Sequence, residues 1–342
     1  MNAAFYEKNH TIRIGTCEPV TPGPGQVQLR VAYGGICGTD LHIYHGKMDW
    51  RTGDSRVIGH EIAGTVSAVG EGVDHVRVGQ NVTVMPLQPC GHCPACRAGH
   101  SHICHNLKFL GIDSAGGFQT LWTVPDYAAL PLPESLSLRH AALVEPIAVA
   151  CHDVRLAGVT AGEMVVVLGG GPIGALIALV AKAAGASVIA SEINPHRVRG
   201  LTALGIETVN PREIDLPKFV EERTGGAGAD VVFEVTGHPS GIEMATKLPR
   251  TRGRIVAVGI FSEPPKVDLF RFFWRELKLI GARVYEREDY EHAIRIAASG
   301  TLPLDGLISD TVPMTGLRDA LDRMASGDGN VMKILVDCAG AV

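Results

Sequence analysis

A short segment near the middle of the chain constrains the fold more than any other. The apolar stretch Met164–Leu168 leads into a glycine-rich loop, residues 169–174 (GGGPIG), and then into an alanine-rich helix. In a G-x-G-x-x-G loop between a strand and a helix, the glycines allow a tight turn, a close approach of backbone to pyrophosphate, and packing of helix on strand. The segment therefore predicts a dinucleotide-binding site. Its candidate loop residues are Gly169, Gly171, Pro172, Ile173 and Gly174.

An acidic residue at the end of the next predicted strand bears on the choice of cofactor. Glu192 directly follows Ser187–Ser191. At that position a carboxylate accepts a hydrogen bond from the ribose 2′-hydroxyl group and repels a 2′-phosphate. Arg197 and Arg199 follow closely and would weaken this preference. The sequence predicts NAD, with NADP less favoured, and it places Glu192 and Arg197 among the cofactor-binding residues.

The second half of the chain alternates apolar strands with helical patterns. This alternation is typical of a doubly wound parallel sheet, so we expect an α/β domain. One more strand is predicted at Leu277–Arg283, followed by an amphipathic helix, Asp289–Ala298, and a final strand, Val331–Val336. The clearest strands are Met164–Leu168, Ser187–Ser191, Asp230–Val235 and Arg254–Val258.

Residues 1 to about 145 have a different character, with short strands separated by frequent glycine and proline turns. Val27–Tyr33, Glu61–Val69 and Asn81–Met85 are the clearest examples. This pattern predicts a β-rich, barrel-like domain. The part of the chain that follows residue 284 would return to complete it.

Length, charge and hydropathy exclude two classes of protein. The 342 residues suffice for two domains, and a net charge of −5 without a basic block argues against binding to nucleic acid. Residues 164–181 are uncharged, but the glycines and the proline within them predict a strand, a turn and a helix instead of a membrane span. The N-terminus lacks a signal-peptide pattern, so we expect a cytoplasmic protein without a membrane partner.

Four cysteines lie close together in the sequence with the spacing C-x2-C-x2-C-x7-C. They are Cys90, Cys93, Cys96 and Cys104. Four thiolates on short loops match a closed tetrahedral zinc site, and a closed site is structural because no coordination position is open. The alternatives are an iron–sulfur cluster, which also uses short cysteine spacings, and free buried thiols. We favour a structural zinc ion.

A second constellation, centred on Cys37 and His60, indicates a catalytic zinc ion. Such an ion needs about three protein ligands and one open position. Cys37 and His60 would supply a thiolate and an imidazole, and Glu61 or a distant carboxylate would supply the third ligand. Asp40 would orient one of the ligands.

Alcohol oxidation also requires a route for the hydroxyl proton. A zinc ion lowers the pKa of a hydroxyl group, which favours loss of the proton and then of hydride. Thr39 would pass the proton on, and His42, which titrates near neutrality, suits the outer end of such a relay. The candidate catalytic residues are Cys37, Thr39, His42, His60 and Glu61.

Taken together, these motifs resemble the zinc-containing medium-chain dehydrogenase/reductase family over essentially the whole chain. The signature G-H-E-x2-G-x5-G-x2-V at residues 59–73 is specific, and the four cysteines and the cofactor loop follow in the order of the family. The resemblance is strongest to the polyol branch. It implies a GroES-like catalytic domain over residues 1–147, a Rossmann domain over residues 148–283, and a return to the catalytic domain over residues 284–342.

The resemblance also implies roles for individual residues. Cys37 and His60 match zinc ligands of the family. Glu145 occupies the position where classical alcohol dehydrogenases carry a third cysteine ligand, so Glu61 and Glu145 compete for that role. Thr39 and His42 match the relay positions.

Three further positions follow from the resemblance. Val258 and Gly259 match the strand end that contacts nicotinamide, and Phe118 matches a position near the substrate pocket. The family often carries an arginine near the cofactor in a Thr-His-Arg-like segment. The corresponding segment here, Ile308–Val312, contains no arginine.

These observations predict an enzyme that transfers hydride between a secondary alcohol and NAD. The expected substrate is a polyol, a sugar or a sugar acid. A threonine-type amino alcohol or butanediol is the alternative substrate, and a zinc-stabilised NAD-binding module without catalysis is a remote alternative. Oligomers are common in the family, so we expect a homodimer or a homotetramer, with the strand at Leu277–Arg283 pairing across a dimer.

Overall fold

The computed structural model describes residues 1–326 and 331–340. The chain forms two units, each with its own sheet. The first unit comprises Met1–Glu145, Ala293–Gly300 and Leu307–Val342. The second unit comprises Pro146–His292 and Thr301–Gly306. The domain limits predicted at residues 147 and 283 stay a prediction.

The strands of the described residues are numbered in chain order. They are β1 (Asn2–Tyr6), β2 (Ile12–Thr16), β3 (Gln26–Gly35), β4 (Arg56–Val57), β5 (Glu61–Val69), β6 (Asn81–Val84), β7 (Leu87–Gln88), β8 (Lys108–Phe109), β9 (Leu121–Pro125), β10 (Ala129–Pro131), β11 (Met164–Leu168), β12 (Ser187–Ser191), β13 (Glu207–Val209), β14 (Ala229–Glu234), β15 (Pro249–Ala257), β16 (Lys278–Gly281), β17 (Ile308–Pro313) and β18 (Lys333–Asp337).

The α-helices are numbered in the same way. They are α1 (Gly38–Tyr44), α2 (Asp49–Thr52), α3 (Pro94–Arg97), α4 (Leu138–Ala141), α5 (Val144–Ala157), α6 (Pro172–Ala183), α7 (Pro195–Ala203), α8 (Leu216–Arg223), α9 (Pro239–Ala245), α10 (Leu269–Arg275), α11 (Arg287–Ala298) and α12 (Leu317–Ala325). Short 3₁₀ helices lie at Ser101–Ile103, Asp126–Ala128, Leu304–Gly306 and Met314–Gly316.

The second unit contains a six-stranded sheet in the order β13-β12-β11-β14-β15-β16. All five strand pairs are parallel. Counted within the unit, this is the order 3-2-1-4-5-6 of a dinucleotide-binding fold. The central strand β11 is apolar throughout, and Val165, Val166 and Val167 are fully buried, as expected for a parallel strand covered on both faces. The predicted doubly wound sheet is confirmed.

The first unit is built on a largely antiparallel sheet in the order β10-β6-β5-β3-β18-β17, in which β9 also pairs with β3. The end of the chain returns to this sheet, because β18 pairs antiparallel with β3 and parallel with β17. Two smaller sheets, β2-β1-β4 and β7-β8, belong to the same unit. In β3, the inward side chains Val27, Leu29 and Val31 are fully buried and alternate with more exposed neighbours. The β-rich part of the predicted mixed α/β fold is confirmed.

Several element bounds differ from those predicted. β16 is shorter than Leu277–Arg283 because it is an edge strand, and it ends at Gly281 opposite Ala257, where its partner β15 ends. β15 begins at Pro249, five residues before the predicted Arg254. Helix α11 begins two residues earlier than predicted, and β18 covers Lys333–Asp337 instead of Val331–Val336. Within residues 1–326 and 331–340, no helix combines the length and apolarity that crossing a membrane requires.

Candidate active site

Cys37, His60 and Glu61 come together in the first unit, and we call them the three-donor site. Their candidate ligand atoms all lie within 4.8 Å of one another. Strand pairing explains the meeting, because Gly35 at the end of β3 lies opposite Glu61 at the start of β5. His60 and Glu61 are buried, whereas Cys37 is partly exposed. The structure thus brings Cys37 to His60 and Glu61, which follow it in the sequence by more than twenty positions.

Cys37 occupies the N-cap position of α1. Its backbone N–H donates to Asp40 Oδ2 at 2.9 Å. This bond fixes the turn that holds the Cys37 side chain at the start of the helix.

Asp40 also faces the imidazole of His60. Asp40 Oδ1 and His60 Nδ1 are 3.8 Å apart, and both atoms are buried without another hydrogen-bond partner in the described part of the chain. Burial lowers the pKa of His60, but Cys37, Asp40 and Glu145 outweigh burial, so its pKa lies well above the ordinary value. Burial raises the pKa of Asp40. An aspartate in this place would fix the ring so that the other nitrogen faces the three-donor site.

A buried ion pair fixes Glu61, the third donor. Lys333 Nζ donates to both carboxylate oxygens of Glu61 at 2.7 Å and to the backbone oxygen of Ile36 at 3.1 Å. Burial lowers the pKa of Lys333, but the negative charges of Glu61, Cys37 and Glu145 raise it above the ordinary value. Sequence reasoning missed Lys333, since it lies 272 residues from Glu61 and reaches it only because β18 returns to the sheet.

The three-donor site fits a divalent cation such as zinc. Its set of one thiol, one imidazole and one carboxylate is a donor set that zinc accepts in catalytic sites. The carboxyl groups of Asp40, Glu61 and Glu145 and the ammonium group of Lys333 are all buried around these donors. Glu145 lies outside the group within 4.8 Å, although it is close enough to influence both His60 and Lys333.

The predicted relay residues lie on α1. Thr39 and His42 are three residues apart, so their side chains share one face of the helix. Burial, Lys47 and His45 together lower the pKa of His42. His42 is therefore neutral near pH 7 and able to accept a proton.

Two phenylalanines near His60 have different surroundings. Phe118, which the sequence associates with the substrate pocket, is fully buried, and a Cβ added at Gly34 or Gly59 would lie 2.8 Å from its ring. Phe109 is partly exposed and stands edge-on to the His60 ring, with 6.4 Å between the ring centroids. Phe118 thus belongs to the core, and Phe109, which sequence reasoning missed, borders the three-donor site.

The four-cysteine lobe, defined as Cys90, Cys93, Cys96 and Cys104, forms a second donor group. Its four sulfur atoms lie within 4.8 Å of one another. Cys93 Sγ is 3.5 Å from Cys96 Sγ and 3.8 Å from Cys104 Sγ. A tetrahedron with zinc–sulfur bonds of about 2.3 Å has edges of about 3.8 Å. The spacing therefore fits one zinc ion, and it is much longer than a disulfide bond.

Backbone N–H groups surround the sulfur atoms of the lobe. The amides of Cys90 and Asn106 donate to Cys104 Sγ at 3.3 Å, and the amide of Cys96 donates to Cys93 Sγ at 3.5 Å. Hydrogen bonds from backbone amides, that of His92 first, lower the pKa of Cys90 to about 5. Burial raises the pKa of Cys96 to about 11. These bonds hold the lobe in a shape that suits thiolate ligands.

In the second unit, the glycine-rich loop has the geometry that its sequence predicts. Gly169 has φ = +102°, a conformation that favours glycine. A Cβ added at Gly174 would lie 1.9 Å from the Gly169 oxygen, so only glycine allows α6 to pack this closely. Gly171 is the N-cap of α6, and Pro172 and Ile173 form its first turn. An N-terminus of this kind is suited to phosphate binding.

Glu192 lies against this loop at the end of β12. Its Oε2 accepts the N–H of Gly170 at 2.8 Å, and its Oε1 accepts those of Ile193 and Asn194 at 2.7 and 2.8 Å. Arg197 Nη1 lies 3.8 Å from the same carboxylate. The structure thus brings the predicted acid and arginine together beside the loop.

Val258 and Gly259 follow β15, and both backbone N–H groups donate to the Glu234 oxygen at 2.9 Å. A Cβ added at Gly259 would lie 2.2 Å from the Gly237 nitrogen. The strand end is therefore a tightly packed turn that requires glycine at position 259.

A third cluster of possible metal ligands, His152, Glu286 and Asp289, also lies in the second unit. Asp289 accepts hydrogen bonds from His152 at 2.8 Å and from Arg155 Nε at 2.6 Å. Arg155 also forms an ion pair with Glu286. Because Arg155 pairs with both Asp289 and Glu286, we interpret this cluster as a structural ion-pair network.

Family models match two long segments of the chain, and known proteins match nearly all of it. A model of the alcohol dehydrogenase GroES-like domain matches residues 23–134, and a model of the zinc-binding dehydrogenase family matches residues 172–299. The chain is 49% identical to 2-dehydro-3-deoxy-L-galactonate 5-dehydrogenase of Pseudoalteromonas atlantica over 99% of both chains. It is 31% identical to L-galactonate-5-dehydrogenase of Escherichia coli, over 91% of this chain and 92% of that one.

Solved structures agree with these matches. A proposed zinc-binding dehydrogenase from Sinorhizobium meliloti bound to NADP superimposes with a TM-score of 0.92. The two chains are 31% identical, and the alignment covers 98% of each. Their likeness therefore extends over both units of the present chain.

Proposed function

Since the chain belongs to the zinc-containing medium-chain dehydrogenase/reductase family, and to its polyol branch, we propose that it oxidises one secondary hydroxyl group of a sugar acid to a ketone, with NAD as hydride acceptor. It is an oxidoreductase that uses zinc and a nicotinamide cofactor. The observation that carries the proposal is the buried three-donor site with its relay helix. The proposed substrate class follows the names of the relatives, two of which act on galactonate derivatives.

The ligands of the catalytic zinc ion are assigned from the geometry. Cys37, His60 and Glu61 form the set with close ligand atoms, so we propose Glu61 as the third protein ligand. A carboxylate oxygen has two lone pairs, so Glu61 can keep its bonds to Lys333 while it binds a cation. Glu145 is the nearby alternative. The four-cysteine lobe would hold a second, structural zinc ion.

Each residue around the site has a task in the proposed reaction. Bound zinc supplies Lewis acidity that lowers the pKa of the substrate hydroxyl group, and bound nicotinamide supplies the hydride acceptor. The Thr39 hydroxyl group accepts the proton and donates its own toward His42, which releases it to water. Asp40 orients His60, and Phe109 shields the site from water. In this scheme the protein orients the zinc ligand His60 and supplies a path for the proton through Thr39 and His42.

The choice of NAD over NADP rests on Glu192. Its carboxylate is fixed by three backbone N–H groups beside the glycine-rich loop, so it would meet the ribose hydroxyls and repel a 2′-phosphate. Replacement of Glu192 by Ser should lower kcat/KM for NAD by roughly 10- to 100-fold, the value of one charged hydrogen bond, and raise that for NADP. Unchanged preference in this variant would overturn the assignment.

A substrate panel tests the proposed function directly. NADH formation would be followed by absorbance with aldonates, alditols, threonine and butanediol, and in parallel with NADP. We expect aldonates to give the highest kcat/KM. Preference for threonine or butanediol would replace the sugar-acid assignment by the corresponding alternative, and absence of alcohol-dependent NADH formation throughout would overturn it.

We further propose that the protein forms a homodimer through the edge of the second unit's sheet, or a homotetramer built from such dimers. β16 is the edge strand, and the neighbouring helix α10 exposes Phe270, Phe273 and Trp274 to 67%, 78% and 71%. An exposed apolar patch beside an unpaired strand edge is typical of an association surface. Replacement of Leu279 by Lys should dissociate the assembly in light-scattering measurements. An unchanged mass would contradict this surface.

We also propose that the protein acts in the cytoplasm. None of the eight cysteines is in a disulfide bond, and cysteines without disulfides are typical of a reducing compartment. Fractionation of the source cells would test this location.

A further inference from the structure

Arg51 and Asp113 form a partly buried ion pair in the first unit. Arg51 lies in α2 and donates through Nε to Asp113 Oδ1 at 2.8 Å and through Nη2 to Oδ2. The two side chains keep 17% and 19% of their surface exposed. Such a bidentate pair fixes the plane of the guanidinium group.

Asp113 ties this arginine to the border of the three-donor site. Asp113 Oδ2 accepts the backbone N–H of Phe109 at 2.7 Å, and Phe109 stands edge-on to His60. The same loop passes close to His60 at Gly111, where an added Cβ would lie 3.2 Å from the His60 Cβ. Arg51 is therefore anchored to the loop that packs on a proposed zinc ligand.

The guanidinium group keeps hydrogen-bonding capacity that nothing else in the described residues uses. Two of its N–H groups donate to the Asp113 carboxylate, and a guanidinium group carries more than two. Within residues 1–326 and 331–340, Asp113 is its hydrogen-bond acceptor. The ring of Trp50, which is 84% exposed, lies 5.8 Å from the guanidinium carbon.

The charge around Asp113 favours an anion. Burial raises the pKa of Asp113, but Arg51, the Phe109 amide and the charge of Lys108 outweigh it, so the pKa is lowered and Asp113 is ionised at neutral pH. Arg51 and Lys108 both act on Asp113 as cations, and a guanidinium group with a second cation nearby suits a ligand carboxylate.

We propose that Arg51 binds the carboxylate of the substrate and thereby selects sugar acids over neutral polyols. The inference rests on the proposed function, because a sugar acid carries a carboxylate at some distance from the hydroxyl group that is oxidised. A planar guanidinium group held by Asp113 matches a carboxylate with paired hydrogen bonds. Arg51 is thus a specificity residue that contacts the substrate away from the reacting atoms.

The test compares an aldonate that the enzyme oxidises with the alditol of the same carbon skeleton. In Arg51→Met, we expect KM and the dissociation constant of the aldonate to rise roughly 10- to 100-fold, the value of one charged hydrogen bond, with little change for the alditol. Arg51→Lys keeps a charge toward Asp113 but loses the planar fork, so it should restore part of the selectivity. Arg56→Met is the matched control, because Arg56 lies in β4 and donates to the Thr52 oxygen at 3.1 Å.

Each outcome has a distinct meaning. An equal loss on aldonate and alditol in Arg51→Met would show that the pair only clamps the loop, and it would overturn the inference alone. The same holds if neither substrate is affected. If the wild-type protein oxidises no aldonate in the panel, the proposed function falls and the inference falls with it. Binding measured by calorimetry without cofactor separates recognition from turnover in the folded variants.

Discussion

The four-cysteine lobe and the three-donor site both offer donor atoms that suit zinc, but they are assembled in different ways. The lobe takes four thiols from residues 90–104, and backbone amides of the same stretch donate to its sulfur atoms. The three-donor site takes its groups from the ends of β3 and β5 and pairs Glu61 with Lys333 of the last strand. The lobe is formed by one short segment of the chain, whereas the three-donor site is formed by segments that are distant in the sequence.

This difference teaches how the same ion can serve two purposes. Four thiolates complete a tetrahedral shell and leave no place for a substrate, so the lobe can contribute only stability. Three donors leave one position open, and the buried acids, the lysine and the relay helix around them supply chemistry. Variants at the two sites should therefore separate into those that lose activity and those that lose folding.

The largest effect is expected from His60→Ala in the three-donor site. Loss of one ligand removes the Lewis acid, whose contribution of several kcal/mol corresponds to a rate loss of about 1,000-fold or more. Steady-state NADH formation measures the loss, and metal analysis should show about one zinc ion fewer per chain.

The matched control for His60→Ala is His196→Ala, a histidine of α7 in the second unit. It should retain wild-type zinc content and a wild-type rate with saturating cofactor. Full activity of His60→Ala would contradict the proposed mechanism. Complete unfolding of His60→Ala would contradict the expected difference between variants that lose activity and variants that lose folding.

The next largest effect is expected from Cys104→Ser in the four-cysteine lobe. Cys104 is buried and accepts two backbone hydrogen bonds, so loss of its thiolate should release the ion and cost about 4 kcal/mol of unfolding free energy. Denaturant unfolding measures this change. Molecules that remain folded should keep the wild-type rate per bound catalytic zinc ion.

Cys17, a partly exposed cysteine, serves as the control for the four-cysteine lobe. Cys17 lies outside the donor group and is partly exposed, so Cys17→Ser should leave the free energy of unfolding nearly unchanged. A Cys104→Ser protein of wild-type stability that has lost its activity would reverse the assignment of the two sites.

The two regions also differ in how far the sequence predicts them. The lobe and the glycine-rich loop are local, so spacing alone identifies their residues, and the parallel sheet follows from the alternation of strands and helices. Lys333 and the Arg51–Asp113 pair depend on which strands and loops become neighbours. Local patterns contain no such information. Phe109 was missed for the same reason, because nothing in its local sequence marks its contact with His60.

A third variant, Lys333→Met, should lower the stability of the fold around the three-donor site. Lys333 is 3% exposed, and its removal leaves the Glu61 carboxylate buried without its cation. Breaking a buried pair by removing one partner costs about 3–5 kcal/mol. We expect the lower part of this range, because a bound zinc ion would offset some of the unpaired charge. Thermal unfolding without added zinc measures the loss of stability, and unfolding with added zinc measures the part that the ion offsets.

The double variant Glu61→Gln with Lys333→Met distinguishes pairing from packing. It removes both charges, so part of the lost unfolding free energy should return, whereas catalytic zinc content should fall because the Glu61 ligand is lost. Recovery of full activity in the double variant would show that Glu61 is not a ligand and would favour Glu145.

The smallest effect is expected at the relay, which only the three-donor site possesses. His42 must be neutral to accept a proton, and burial together with Lys47 and His45 lowers its pKa below 6.5. The acid limb of kcat/KM attributable to His42 should therefore lie below pH 6.5, and activity should fall as the pH drops through it.

Lys47→Met removes one of the repelling charges, so the pKa of His42 should rise and the limb should move to higher pH by a few tenths of a unit. Lys218→Met, an exposed lysine of the second unit, should leave the profile unchanged. A limb that stays in place when Lys47 is replaced, or that persists unaltered in His42→Gln, would assign the titration to another group and leave the three-donor site without its outer proton acceptor.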